Sequence, residues 1–133
     1  MRTIIPAAMA AAAVLATPVV AAPRDTPEAQ LQKMLAGRVA GKPTRCIPLS
    51  AINSSEIING KAIVYRAGST LYVNEPRSGA QQLDQNDVLV TRTIGTQLCS
   101  IESVQLVDRS SRMPSGFVVL GDFVPYTKAK AAK

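Results

Sequence analysis

The sequence predicts a mainly β protein: a small antiparallel sheet, sandwich or partly closed barrel with one N-terminal helix. Three features carry this reading. From residue 46 onward, short apolar runs alternate with clusters of glycine, proline, asparagine and aspartate. An Asn59-Gly60 pair stands between two of those runs, and Asn-Gly readily takes the positive φ angles of a tight hairpin turn. Only the stretch from residue 27 to 39 places apolar side chains at helical spacing.

In chain order, Met1-Arg2-Thr3 carries a positive charge and leads into an alanine-rich apolar run from Ile4 to Ala16, then Thr17-Pro18-Val19-Val20-Ala21-Ala22-Pro23. A basic start, a short apolar middle and small residues before a cut make a secretory signal. Cleavage after Ala21 uses Val19 and Ala21. Cleavage after Ala22 would leave Pro23 first, which fits a scissile position poorly. A membrane anchor needs about 20 apolar residues. Here alanine contributes little transfer energy, Pro6 and Pro18 interrupt the run, and no basic stop-transfer cluster follows. The absence of cysteine near the cut excludes lipoprotein anchoring. The expected organisation is therefore a signal over 1–21, a linker and short amphipathic helix over 22–45, a β-rich domain over 46–126 and a disordered basic tail over 127–133.

The helix is expected to start at Thr26-Pro27-Glu28, which offers a hydroxyl cap, proline at the first helical position and an acid in the first turn. Leu31, Met34, Leu35 and Val39 form its apolar stripe, and Gly37 and Gly41 stand where it frays and stops. So short a helix needs a body to dock on; the alternative is an exposed amphipathic segment for a membrane or partner.

Cys46-Ile47-Pro48-Leu49 reads as a short extended piece, at an edge because of Pro48. Glu56-Ile57-Ile58, Asn59-Gly60 and Lys61 to Arg66 read as a hairpin. Ala67-Gly68-Ser69 then turns the chain into Thr70 to Asn74, which completes a meander. Glu75 to Asp87 reads as a loop, Val88 to Thr93 as a strand, and Gly95-Thr96 as a turn toward Leu98-Cys99. Ile101 to Val107 is a further strand with Val104 and Leu106 on one face. After a polar loop from Asp108 to Ser115, Gly116 to Phe123 is expected to close the sheet, and Pro125-Tyr126 to end it.

Composition excludes whole classes of chemistry. The chain has 133 residues and no histidine or tryptophan. Histidine-dependent nucleophile pairs, His-ligated zinc and haem held by histidine are ruled out, and two cysteines cannot close a four-thiolate site. No cofactor is implied. The net charge of +6 is misleading until mapped. Between Cys46 and Thr127 there are six basic and seven acidic residues, so the positive charge lies on the flanks. Arg66, Arg77, Arg92, Arg109 and Arg112 are dispersed among few aromatics, unlike a nucleic-acid-binding face. No transmembrane segment is expected in the mature chain.

Cys46 and Cys99 are the only thiols. In an oxidising compartment they are expected to form one disulfide; the alternative is two buried free cysteines. Asp84-Gln85-Asn86-Asp87 is the densest oxygen cluster, but it lacks the glycine and distal glutamate of a calcium loop and reads as a turn. Nothing in the spacing brings Glu56 and Glu102 together as acid and base. Asn53-Ser54-Ser55 matches a glycosylation sequon by chance. Tyr65 and Tyr72 are expected to meet as a cross-strand pair. With Arg77 they form the candidate partner-binding residues, set against the plainer reading of half-buried sheet positions.

The run Cys46-Ile47-Pro48-Leu49 with Ile52, the Tyr65-Arg66 to Leu71-Tyr72 hairpin, Asn74 with Pro76-Arg77, Leu98-Cys99-Ser100 and Leu120-Gly121-Asp122-Phe123-Val124-Pro125 carry a resemblance. Over most of residues 45–126 the chain resembles a family of small exported proteobacterial proteins of unknown function, of the sphingomonad type. Many members carry a second cysteine pair, at places held here by Ser78-Gly79 and Val118-Val119. The resemblance implies an exported domain stapled by the remaining Cys46–Cys99 bridge, and implies no activity, ligand or catalytic residue.

These readings lead to an expected function: a non-catalytic periplasmic or envelope protein that binds a protein or envelope polymer through its sheet face or loops. The alternative is an inhibitor of an envelope-targeting hydrolase such as lysozyme, inserting Ala67-Gly68-Ser69-Thr70 or Arg77-Ser78-Gly79. An enzyme using carboxylates and tyrosine is the least favoured class.

Overall fold

The computed structural model describes residues 10–18 and 25–129. Residues 10–18 form no helix or strand, and Val14 and Leu15 stand exposed. The expected cut after Ala21 and the tail residues 130–133 lie outside the described residues. Among the described residues no helix is long and apolar enough to cross a membrane.

The elements are α1 (Pro27–Leu35), β1 (Arg38–Ala40), β2 (Cys46–Pro48), β3 (Ser54–Ile58), β4 (Ala62–Ala67), β5 (Thr70–Asn74), β6 (Asp87–Thr91), β7 (Gln97–Cys99), β8 (Ser103–Asp108), β9 (Pro114–Val119) and β10 (Phe123–Lys128). They build a large five-stranded sheet in the order β1-β10-β5-β4-β3, a small three-stranded sheet β6-β8-β9, and a two-stranded ribbon β2-β7. All pairings are antiparallel. Among the described residues the chain is thus mainly β, with one α-helix and no closed barrel.

Strand alternation sorts the large sheet into two buried faces. Ile58, Ala62, Val64, Leu71 and Val73 face α1, which lays Leu31, Met34 and Leu35 on them. Ile57, Ile63, Tyr65 and Phe123 face the other way, onto Val104, Leu106, Val118 and Leu120 of the small sheet and its exit, and onto Ile47 and Leu98 of the ribbon. Both faces of β4 are covered, so Ala62, Ile63, Val64 and Tyr65 are consecutively buried. Each fully buried side chain of this kind contributes roughly 1.5–3 kcal/mol.

The helix begins as its sequence predicts. Thr26 Oγ1 accepts the Ala29 N–H at 3.2 Å, with Pro27 in the first turn. It stops sooner than the apolar stripe suggests. Gly37 takes a positive φ of 73°, which turns the chain back at little steric cost. Val39 then lies in β1 opposite Thr127 rather than on the helix. Its exposure of 55% suits this edge position. The same pairing corrects the expected tail. Thr127 and Lys128 finish β10, and the Ala129 N–H donates to the Gly37 carbonyl at 2.9 Å.

The β3-β4-β5 meander forms as expected. Its first turn differs from the primed type that Asn-Gly favours. Only Gly60 has a positive φ, 65°, and Asn59 does not. Asn59 is instead engaged elsewhere: its Oδ1 accepts the Gln85 N–H at 2.7 Å, while the Gly60 N–H reaches the Leu83 carbonyl at 3.0 Å. The hairpin tip is thereby stitched to the segment before β6.

The expected single strand from Gly116 to Phe123 is two strands in different sheets, β9 and β10. The chain crosses at Leu120–Asp122, where the buried Asn74 side chain imitates a strand neighbour. Its Nδ2 donates to the Gly121 carbonyl at 2.8 Å and its Oδ1 accepts the Gly121 N–H at 2.9 Å. Gly121 has room for no side chain, because a Cβ there would sit 2.4 Å from the Glu75 carbonyl oxygen. Pro125 and Tyr126 do not end the sheet but lie within β10, paired with Tyr72 and Leu71 of β5. The missing N–H of Pro125 lies on the side where its carbonyl accepts the Gly41 N–H at 2.7 Å, just past the end of β1. The ladder to β5 is therefore uninterrupted.

Cys46 and Cys99 are direct partners in the ribbon and form the disulfide, with Cα atoms 4.0 Å apart. The Ser100 N–H donates to the Arg45 carbonyl at 2.7 Å, so the next pair, Cys46 with Cys99, holds a non-hydrogen-bonded position, where facing side chains come closest.

Candidate docking surfaces

Two surfaces stand out. The first is the outer face of the small sheet. Its inner residues Leu89, Val104, Leu106 and Val118 belong to the core, so the alternate residues point outward. Register places Val88 beside Val107 and Pro114, Val90 beside Gln105 and Phe117, and Ser103 beside Val119. Phe117 is 57% exposed and Val88 41%. Beside Phe117 lies a depression of about 700 Å³ bordered by Val90, Arg92, Glu102, Gln105 and Pro114. A sheet face meant for water alternates apolar-in and polar-out. Here the outer face is largely aliphatic and aromatic, with Ser103 and Gln105 as the polar side chains of its central strand.

The second surface is an open seam. β3 ends the large sheet and β6 ends the small one, so each has one edge without a strand partner. Both edges line a single cleft of about 440 Å³, with Ser55, Glu56 and Ile57 on one wall and Asp87, Val88 and Leu89 on the other. Gln85 and Arg109 complete the lining. Asp87 is buried and accepts the Ser115 hydroxyl at 3.0 Å.

The expected binding residues are placed differently from one another. Tyr65 and Tyr72 do face each other across β4 and β5. Tyr65, however, is 4% exposed and packs edge-on against Phe123, ring centroids 5.8 Å apart. Burial pushes its phenol well above the ordinary range. Tyr72 also packs against this core. Arg77 is exposed after β5, 3.7 Å from the Asp122 carboxylate. The pair is thus an interior contact, and Arg77 stands apart from it on the surface.

Other sequence candidates serve local structure. Asp84 Oδ1 accepts the Asn86 N–H at 2.8 Å, closing a turn. Glu56 lines the seam and Glu102 the outer depression, so the two carboxylates belong to different surfaces. Glu102 accepts the Cys99 N–H at 2.5 Å. The Gly68 turn is held by Asn53 Oδ1 at 2.7 Å, and Arg38 donates to the Ser69 carbonyl at 2.7 Å. Ser78 bridges to Val119, and a Cβ on Gly79 would meet the Phe117 carbonyl oxygen at 2.5 Å. Both segments considered as inhibitory loops are therefore tied down. Among the described residues no three metal-ligating side chains gather.

Neither docking surface was among the expected sites. The outer face had a signal in the sequence: Val88-Leu89-Val90 and Phe117-Val118-Val119-Leu120 are unbroken apolar runs, where a half-solvated strand should alternate. The seam had none, because it depends on which strands lie at sheet edges. No family model, no curated protein and no solved structure matches the chain.

Proposed function

We propose that this chain is an exported, non-catalytic envelope protein that binds a protein partner through the outer face of its small sheet. The observation that carries the reading is the apolar character of that face, centred on Phe117 and Val90. Contiguous exposed apolar surface rimmed by polar groups is the mark of protein contact. An envelope polymer is the second reading, since Arg92, Glu102, Ser103 and Gln105 also border the depression beside Phe117.

Export is supported by the tripartite leader and by the disulfide. The exposure of Val14 and Leu15 also suits a segment that is removed. The non-catalytic reading rests on the absence of histidine and on the local structural roles of Asp84, Asp87 and Glu102.

Affinity capture from envelope extract tests the reading, using the mature chain beside Phe117→Glu and Val90→Glu variants. A protease-sensitive partner retained by the unmodified chain and lost by both variants is the expected result. Retention by the variants, or turnover of a substrate in a broad hydrolase screen, would overturn it.

A further inference from the structure

We propose that the open seam between β3 and β6 is a second binding site, which takes an extended polypeptide segment of a partner protein as an added strand. It differs in kind from the outer face, since it rests on backbone edges rather than on apolar side chains, and Val88 borders both.

The fold leaves the two edges facing one cleft. On the opposite side the sheets are joined covalently and by hydrogen bonds, through Leu120–Asp122, the Asn74–Gly121 pair and the Ser78–Val119 bridge. On the seam side they meet only at one end. There the Asn59-Gly60 tip is stitched to Leu83 and Gln85. Beyond this stitched end, the edges of β3 and β6 run along the cleft without a strand partner; the Asp87 N–H is held by the Asp84 carbonyl at 2.9 Å, so the free edge of β6 begins past Asp87.

Strand edges carry alternating N–H and C=O groups, and the ligand that satisfies such a row is another extended backbone. Each edge is five residues long, so the guest is a short segment. β3 runs toward the stitched end and β6 away from it. A guest is therefore antiparallel to one edge and parallel to the other, and it joins the two sheets along the seam. The walls also suit a peptide. Ile57 and Leu89 pack into the core at the base of the cleft, while Ser55, Glu56, Gln85 and Arg109 offer polar partners along its rim. Natural proteins guard exposed edges with lysine, proline or a bulge. Neither Ser54–Ile58 nor Asp87–Thr91 contains lysine or proline; the charge on each is a single acid, Glu56 and Asp87, and Asp87 is turned inward onto the Ser115 hydroxyl.

The test starts from the mature, disulfide-bonded chain panned against a phage-displayed random peptide library. Enriched peptides are synthesised and titrated, and amide hydrogen exchange is followed with and without them. The expected result is slowed exchange within Ser54–Ile58 and at Leu89 and Thr91 together, since these β6 amides face away from β8. Ser55→Lys and Val88→Lys change exposed side chains and place a guarding charge on each edge. Each should weaken the peptide by about tenfold or more, with an unchanged thermal melt. Phe117→Glu should leave peptide binding unaltered, which separates this site from the outer face.

Several results would overturn the proposal. One is enrichment of no peptide. Another is protection confined to the outer face. Slow exchange at both edges in the free protein would mean that β3 and β6 pair directly. Protection that grows with protein concentration alone would assign the seam to a second copy, and protection by muropeptide glycans without peptide would assign it to a polymer.

Discussion

Tyr65 buries its hydroxyl without a protein hydrogen-bond partner, beside Phe123. An orphaned polar group in a core costs stability. Tyr65→Phe keeps the ring contact and removes the orphan, so urea unfolding at neutral pH should show no loss and a gain of up to about 1 kcal/mol. The pH dependence follows from the direction of the shift. Burial raises the folded-state value of the phenol, whereas the unfolded chain ionises it near pH ~10. The neutral-state advantage is therefore complete below about pH 10 and is lost as the pH rises beyond it. The Phe variant should lack this part of the alkaline destabilisation. Asn74 is the opposite case, a buried polar side chain with both ends satisfied by Gly121. Asn74→Ala should cost about 2–4 kcal/mol in the same assay, because it leaves the Gly121 N–H and carbonyl unpaired. A cost below about 1 kcal/mol would show that the sheet crossover does not depend on this amide.

At the scale of elements, the helix is held by packing more than by its charges. Lys61 approaches Glu28 and Glu75 at 4.0 and 3.9 Å with both carboxylates well exposed, and such pairs contribute little. Leu31 is the buried helix residue in contact with the large sheet. Leu31→Ala should remove roughly 2–3 kcal/mol, with faster amide exchange over Pro27–Leu35 than elsewhere. An equal cost from exchanging Glu28 for Gln would show that charge carries the docking instead. The legible and illegible elements separate on the same physical ground. Thr26-Pro27-Glu28, the Asn59-Gly60 turn and the Gly68 turn are local, so residue chemistry announces the helix start and the meander. β1 and the division between β9 and β10 depend on distant partners, Thr127 for Val39 and Asn74 for Gly121. No local pattern contains that information.

At the scale of the molecule, the disulfide ties the entry of the fold to β7 across a separation of 53 residues. In the chain-entropy account, closing such a loop stabilises by about 4 kcal/mol. A Cys46→Ser, Cys99→Ser double variant should therefore unfold at distinctly lower urea than the bridged chain. The ribbon it staples pairs with neither sheet along its length, so amide exchange in Cys46–Pro48 and Gln97–Cys99 should rise first. If the bridged and unbridged chains unfold together, packing of Ile47 and Leu98 alone holds the ribbon. The candidate surfaces belong to this scale too. Tyr65 and Tyr72 were legible as a pair from hairpin spacing, but which face of the hairpin meets the core is decided only when the small sheet packs on it. That packing turned the tyrosines inward and left Val90 and Phe117 outward.

By itself the sequence determined the class of the fold, the helix start, the meander, the two partners of the disulfide and the exclusion of histidine chemistry. Each follows from residue type, spacing or count. Tertiary structure alone decided the division into three sheets, the use of Asn74 as a stand-in strand at Gly121, the apolar outer face and the open seam. The physical reason is that alternation fixes which residues share a face, while burial of that face depends on what packs against it from far along the chain.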